Sequence, residues 1–375
     1  MKITDVRPIL FWANTRNVLV VVVETDEGIT GFGQAYAHIQ ATTEAVRMLA
    51  PRVIGQDATR IDHLWQLLFR GGFFPGGNIL SSAVSAIDIA LWDLNAKALG
   101  VPLYRLLGGR SRDRVPAYVH IGGHQTEGLV ESAQAAVAQG WKFLRWGLPS
   151  HGARMEPTEA VQEAIEGMET LRAALGPRVE LCLDVHARLD PSDAITLAKA
   201  IEPVRPYFLE DPIRSENINL YRHVRAKVNV PLAIGEQLHS KWEFREIIEE
   251  ELTDYARIDI CIAGGLSEAK KIAGWCETHY IKLATHNPLG PVSSAACAQL
   301  NFACSNVGVQ EQPTKPYVLL PDVVPVQMEW KDGYILPPTR PGLGIEFDRE
   351  AARRSPFQMF EVPHLQRADG GYTNW

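Results

Sequence analysis

The stretch LCLDVHAR, residues 181–188, sets an aspartate and a histidine two positions apart at the end of an apolar run. Val179, Leu181, Leu183 and Val185 read as a buried strand, and side chains on a strand alternate between its faces. Asp184 and His186 are therefore expected on one face, aimed at one spot. The pattern recurs downstream. FLED (208–211) ends an apolar run on Glu210, and AIGEQ (233–237) ends another on Glu236. Each interval between these three acids is 26 residues, enough for one strand, one helix and their turns.

Working outward, short strand candidates recur at VPAYVHIGG near 115, KFLRWG near 142, VELCLDVH near 179 and YFLEDP near 207. PLAIGE near 231, YARIDI near 255, IKLATHN near 281 and VGVQEQ near 307 continue the series. Segments of helical spacing, such as 191–202 and 266–278, fill most intervals. Strands alternating with helices argue a parallel sheet, and eight units fit a closed β/α barrel better than an open doubly wound sheet. The longer step from 142 to 179 predicts an extended loop after the second strand. Upstream, ITDVRPILF and VLVVVVETDEG read as strands, and helical segments follow at 41–52, 60–70 and 81–98. The polar, glycine-bearing GGRSRDRVP (108–116) is the expected boundary. The fold class is therefore α/β, with an α+β unit over 1–112, a barrel over 113–337, and a tail over about 338–375 that folds back on the first unit.

Equivalent ends of consecutive barrel strands are neighbours at the catalytic face. Asp184, Glu210 and Glu236 are expected to meet there, where three carboxylates repel one another unless a cation holds them. An all-oxygen set suits Mg²⁺ better than zinc, which favours nitrogen and sulfur. Separate salt bridges to loop arginines are the competing reading; three acids in register favour the metal. The next units add Asp259, His286 and Glu311 at the ends of strands six, seven and eight. A carboxylate beside a histidine fixes its tautomer and raises its basicity, so His286 with Asp259 forms a natural general-base dyad.

This order of motifs resembles the enolase superfamily, within its mandelate racemase branch, over nearly the whole chain. DVHAR, FLEDP, THNPLGP, QEQ and RPGLGIEFD are similar to the acid-sugar dehydratases of galactonate type. The resemblance implies a modified (β/α)8 barrel of (β/α)7β form with an N-terminal capping domain. It also implies Mg²⁺ on Asp184, Glu210 and Glu236, an acid-sugar substrate and assembly into a homo-oligomer. His286 would take the C2 proton and His186 would protonate the leaving 3-hydroxyl. Glu311, if held protonated, would donate a hydrogen bond to the oxyanion.

Many relatives carry Lys-x-Lys on the second strand, where this chain has Arg145, Trp146 and Gly147. Arginine stays charged and glycine has no side chain, which argues against a racemase. Mannonate dehydratases pair such an arginine with a tyrosine from the next loop. LPSHGARMEPTEA (148–160) has none, and His151 is the nearest substitute. Specificity is expected from Trp12 in FWANTRN (11–17), from Phe73 and Phe74 in GGFFPGG (71–77), and from Gln237, His239 and Arg145. A sugar-lactone or anhydro-sugar-acid cycloisomerase using the same enediolate, and a non-catalytic ligand-binding barrel, are the remaining alternatives.

The net charge of −7 offers no general attraction for nucleic acid or anionic membrane. The apolar run Val18–Val23 is too short for a spanning helix or a signal h-region, so a cytoplasmic location is expected. Five cysteines without CxxC spacing read as buried free thiols.

Overall fold

The computed structural model describes residues 1–74, 76–122, 126–360 and 364–374; Pro75 of the 71–77 loop and Trp375 of the tail lie outside them. The chain opens with an antiparallel sheet, β1 (Ile3–Trp12), β2 (Asn17–Thr25) and β3 (Thr30–Ala35), paired in that order. Strand β2 is apolar on both faces because both are covered. Leu19, Val21 and Val23 pack against helices of the cap, while Val18, Val20 and Val22 join the larger core continuous with the barrel. The cap helices are α1 (Ile39–Val53), α2 (Ile61–Arg70) and α3 (Asn78–Ala98). Among the described residues only α3 is long and apolar enough to cross a membrane, and most of it is buried inside the protein.

Helix α3 lies directly on β3 because Gly31 and Gly33 have no side chains. A Cβ at Gly33 would overlap the Ala86 carbonyl, and one at Gly31 the Ala90 carbonyl. Backbone on both sides leaves nothing to yield. Gly33→Ala is therefore expected to destabilise the fold by about 1–3 kcal/mol through overpacking, read as a lower urea midpoint at unchanged slope.

The barrel strands are β4 (Val115–His120), β5 (Phe143–Gly147), β6 (Glu180–Asp184), β7 (Phe208–Glu210), β8 (Leu232–Ile234), β9 (Tyr255–Ala256), β10 (Lys282–Thr285) and β11 (Val307–Glu311). All eight are parallel in sequence order, and β11 closes on β4 through Gln310↔Ala117 and Glu311↔Tyr118. Helices α4 (Thr126–Ala138), α5 (Pro157–Leu175), α6 (Pro191–Ile201), α7 (Ile218–Arg225), α8 (Lys241–Glu249), α9 (Gly265–Thr278) and α10 (Pro291–Phe302) follow the first seven strands. After the eighth comes a hairpin, β12 (Trp330–Lys331) and β13 (Tyr334–Ile335), which adds antiparallel to the start of β4. This is the (β/α)7β form that the resemblance implied. Past α11 (Arg349–Arg353) the chain returns to the cap, where Trp12 N–H donates to the Ser355 carbonyl (2.8 Å).

Alternation on the strands divides the barrel interior into two layers. Tyr118, Cys182, Phe208, Ala233, Tyr255, Ala284 and Val309 form one inner apolar cluster. Two positions further along, on the same inward face, stand His120, Asp184, Glu210, Arg257, His286 and Glu311. An apolar floor thus carries a polar layer at the carboxyl ends of the strands.

Candidate active site

The polar layer opens into a cleft of about 1220 Å³ between barrel and cap. Its barrel wall includes Arg145, Asp184, His186, Glu236, His286 and Glu311. The cap contributes Arg16, Tyr36, His38 and Gln40, and the returning C-terminal segment contributes Phe357, Phe360 and His364.

Strand β6 ends at Asp184 itself, whose Oδ1 accepts the His186 N–H at 2.6 Å. This aspartate turn puts His186 and Ala187 in the left-handed region, at φ 57° and 55°. Strand alternation therefore does not aim His186, contrary to expectation. The turn does, and His186 still faces the cleft, with Nε2 3.8 Å from Glu236 Oε1. Burial pushes its pKa down to about 4, with Glu236 pulling upward and Arg145, Arg188 and His286 pulling down.

His286 and Asp259 meet as the sequence suggested. Asp259 forms an isolated parallel bridge with His286 just past β9, and His286 Nδ1 lies 2.7 Å from Asp259 Oδ2. The other nitrogen, Nε2, is 3.5 Å from Glu236 and 3.9 Å from Glu311. Burial alone would lower the histidine's pKa. Glu236, Glu311 and Asp259 outweigh it and raise the pKa to about 9.

Of the expected trio, Glu210 and Glu236 come together, with Asp211 beside them. Oxygens of Glu210, Asp211 and Glu236 lie within 4.8 Å of one another, whereas the Asp184 carboxylate pairs with the Arg145 guanidinium. Arg257 is wholly buried, and its Nη2 stands 2.6 Å from Glu210, 2.8 Å from Glu311 and 3.3 Å from Glu236. Burial and the neighbouring carboxylates raise Glu210 to about 7 against the pull of Arg257 and Arg145. Burial also works against ionisation of Glu236, yet His286, Arg257 and His186 hold its pKa near 2. Burial likewise opposes ionisation of Glu311, and Arg257, His286 and His120 overcome it, leaving its pKa well below the usual range. Glu311 was expected to be held protonated; here Arg257, His286 and His120 favour its ionised form. A cation fits this donor set: Glu210 Oε2 and Asp211 Oδ2 are buried oxygens without a hydrogen-bond partner.

Several expected contacts fall elsewhere. Phe73 and Phe74 are 94% and 81% exposed and stack edge-on with each other, away from the cleft. Trp12 is not in the cleft wall either; it backs Phe360, with ring centroids 5.8 Å apart. His239 pairs with Glu243 (3.0 Å) at the start of α8 and does not reach the cleft, nor does His151, which pairs with Glu163 (2.8 Å). Gln237 does line the cleft and accepts from Ser215 Oγ (2.8 Å). Sequence reading missed three groups: Arg257, Asp211 and His120, the last at 2.6 Å from Glu311. The signal for Arg257 was present, because in YARIDI it shares strand parity with Asp259.

Residues 6–108 match the N-terminal domain of the mandelate racemase / muconate lactonizing enzyme family, and residues 128–351 match the enolase C-terminal domain-like family. A D-galactonate dehydratase from Ralstonia nicotianae (strain ATCC BAA-1114 / GMI1000) is 38% identical over 365 residues, covering 94% of this chain and 95% of its own. A D-mannonate dehydratase from Caulobacter sp. (strain K31) is 35% identical over 404 residues, with both chains covered in full. Among solved structures, an enolase from Pantoea ananatis with bound D-gluconate and Mg superposes with a TM-score of 0.94 at 31% identity, covering 99% of each chain.

Proposed function

Because the chain belongs to the mandelate racemase / muconate lactonizing enzyme family, we propose that it is a Mg²⁺-dependent acid-sugar dehydratase converting an aldonate of galactonate or gluconate type to its 2-keto-3-deoxy product. The observation that carries this reading is the pair of imidazoles, His286 and His186, both set against Glu236 in one cleft. One dyad-held histidine and one histidine on a separate turn are what a proton abstraction and a proton donation require. The relatives' names and the gluconate-bound structure support the substrate class.

Glu210, Asp211 and Glu236 would hold the cation, with Asp184 joining them once Arg145 turns to the substrate. When bound, the ion would act as a Lewis acid on the substrate carboxylate and, by neutralising Glu236, would release His286 from the charge that now holds its proton. His286, oriented by Asp259, takes the C2 proton. His186, which burial keeps neutral in the empty cleft, would take up a proton as the anionic substrate binds beside it and would donate that proton to the departing 3-hydroxyl. Arg145 and Gln237 orient the substrate from the cleft wall. Buried Arg257 keeps Glu311 ionised, so Glu311 fixes His120 and Asn287 N–H (2.8 Å) instead of donating to the oxyanion.

Purified protein with Mg²⁺ is expected to form 2-keto acid from at least one member of an aldonate panel, and chelator should stop the reaction until Mg²⁺ is restored. Exchange of the C2 proton in D₂O without 2-keto acid would overturn the elimination while leaving the base. His186→Asn is expected to slow elimination by about 10²-fold or more while C2 exchange continues; equal loss of both would remove His186 from the acid role.

A further inference from the structure

Helix α3 carries an unusual buried face. Ser81, Ser82, Ser85 and Asp88 are all at most 1% exposed, where a core-facing helix stripe is ordinarily apolar. Each is spent on the barrel. Ser81 Oγ donates to the His239 carbonyl (2.7 Å), Ser85 Oγ accepts from Gly264 N–H (2.9 Å), and Asp88 Oδ1 accepts from Ser267 N–H (3.0 Å). Trp65 Nε1–H adds a bond to the Gly264 carbonyl (2.7 Å). The turn gripped in this way, residues 259–264, begins with the acid of the His286 dyad.

We propose that the Ser82 hydroxyl of the cap is a positioning group for the Asp259–His286 dyad, joining the cap's cleft rim to the turn that carries Asp259. The proposal rests on the reading of that dyad as the base. Ser82 Oγ donates to the Cys261 carbonyl (2.7 Å), and Cys261 N–H donates to Asp259 Oδ1 (2.7 Å). Asp259 Oδ2 in turn holds His286 Nδ1. On its other side Ser82 Oγ accepts from Tyr36 N–H (2.7 Å) and meets the Tyr36 carbonyl, which shares the single hydroxyl proton with the Cys261 carbonyl. Tyr36 lines the cleft with its ring 6.3 Å from the His286 ring. One buried hydroxyl thus serves both domains. Without it, the Tyr36 N–H and the Cys261 carbonyl lose their bond where water cannot replace it. The 261–262 peptide then loses its anchor on α3, and the adjoining Cys261 N–H that fixes one Asp259 oxygen is steadied only by the turn's own backbone bonds, such as Gly265 N–H to the Ile260 carbonyl (3.2 Å). A carboxylate that turns no longer sets the tautomer and angle of its imidazole.

The test compares Ser82→Ala with Ser85→Ala, which removes a bond from the same helix face to Gly264 but none to the Cys261–Asp259 link. Full-length ¹⁵N-histidine-labelled protein with Mg²⁺ gives the His286 Nδ1 proton by NMR, assigned by its loss in His286→Asn. Kinetics use whichever aldonate the wild type dehydrates. For Ser82→Ala we expect kcat to fall about tenfold from a small misplacement of the base, with KM held within about twofold, and the imidazole proton to exchange faster with water. Ser82→Cys, similar in size and a weaker donor, should recover part of both losses, and Ser85→Ala should show neither. Wild-type kcat and an unchanged imidazole proton in Ser82→Ala would overturn the proposal, as would equal losses in Ser85→Ala. If the wild type dehydrates no acid sugar, the functional reading fails, and the imidazole proton alone decides this one.

Discussion

Substitution of His286 by asparagine is expected to lower kcat by about 10²–10⁴-fold, the usual range for a positioned acid–base group, and to abolish C2 proton exchange in D₂O. Asparagine keeps a hydrogen-bonding group near Asp259 but has no nitrogen able to accept a proton. The ion-binding acids and the other residues of the cleft wall keep their side chains, so KM should change far less than kcat, the pattern for an interaction made in the transition state. Retained exchange in this variant would mean that the proton leaves to another group, and the assignment of the base would fall. The comparison with His186→Asn is the informative one. Both lose elimination, and only the His286 variant should lose exchange.

Arg257→Met is expected to cost stability more than any other single change at the site. Arg257 is fully buried, contacts Glu210, Glu311 and Glu236, and donates from Nη1 to the Ala284 carbonyl (3.0 Å). Removing one partner from a buried charge cluster leaves the others uncompensated, a loss of roughly 3–5 kcal/mol. The loss should also depend on pH. Glu210 already stands near 7 and would rise further without Arg257, while Glu311 would lose the largest influence that holds its pKa down. A carboxyl whose folded pKa exceeds its unfolded value supports the fold below that unfolded value and loses the support as pH climbs through the folded one. The deficit in urea midpoint should therefore be larger at pH 8 than at pH 5. Divalent cation, which binds the folded state, should recover more stability in the variant than in the wild type. A pH-independent deficit under about 1 kcal/mol, the scale of an exposed pair, would show that these carboxylates reach solvent.

The barrel was readable because each strand repeats one local rule, an apolar run ending on a polar residue. That rule also placed Asp259, His286, Glu210 and Glu236 at the correct end of the fold. It did not distinguish which acids would share an oxygen cluster. Asp211 follows Glu210 and, by strand parity, should point away; its backbone leaves the strand at φ 33° and brings the side chain back. Arg257 was passed over because a basic residue between Ala256 and Ile258 in a short apolar run looks like an edge of the strand. The cap was harder still. Phe73 and Phe74 looked like a lid because they are apolar and flanked by glycine, yet the wall they were expected to form is made by Phe357 and Phe360. Contacts between segments more than 300 residues apart leave no periodicity to read.

That distance has a consequence for how the protein is made. Asn17 holds Gln358 by a bond in each direction, Nδ2 to the Gln358 carbonyl (2.7 Å) and Gln358 N–H to Oδ1 (3.1 Å). At a synthesis rate of about 5–20 residues per second, the two partners emerge roughly 20–70 s apart. In the last part of that interval, once β11 (Val307–Glu311) has emerged, the barrel can close while the cap still waits for residues 355–358 beside the end of β1. The cleft therefore gains its last wall only after Phe357, Phe360 and His364 have emerged, well after the barrel strands. A chain shortened by a few dozen residues would keep every acid and histidine of the barrel and still lack an enclosed site.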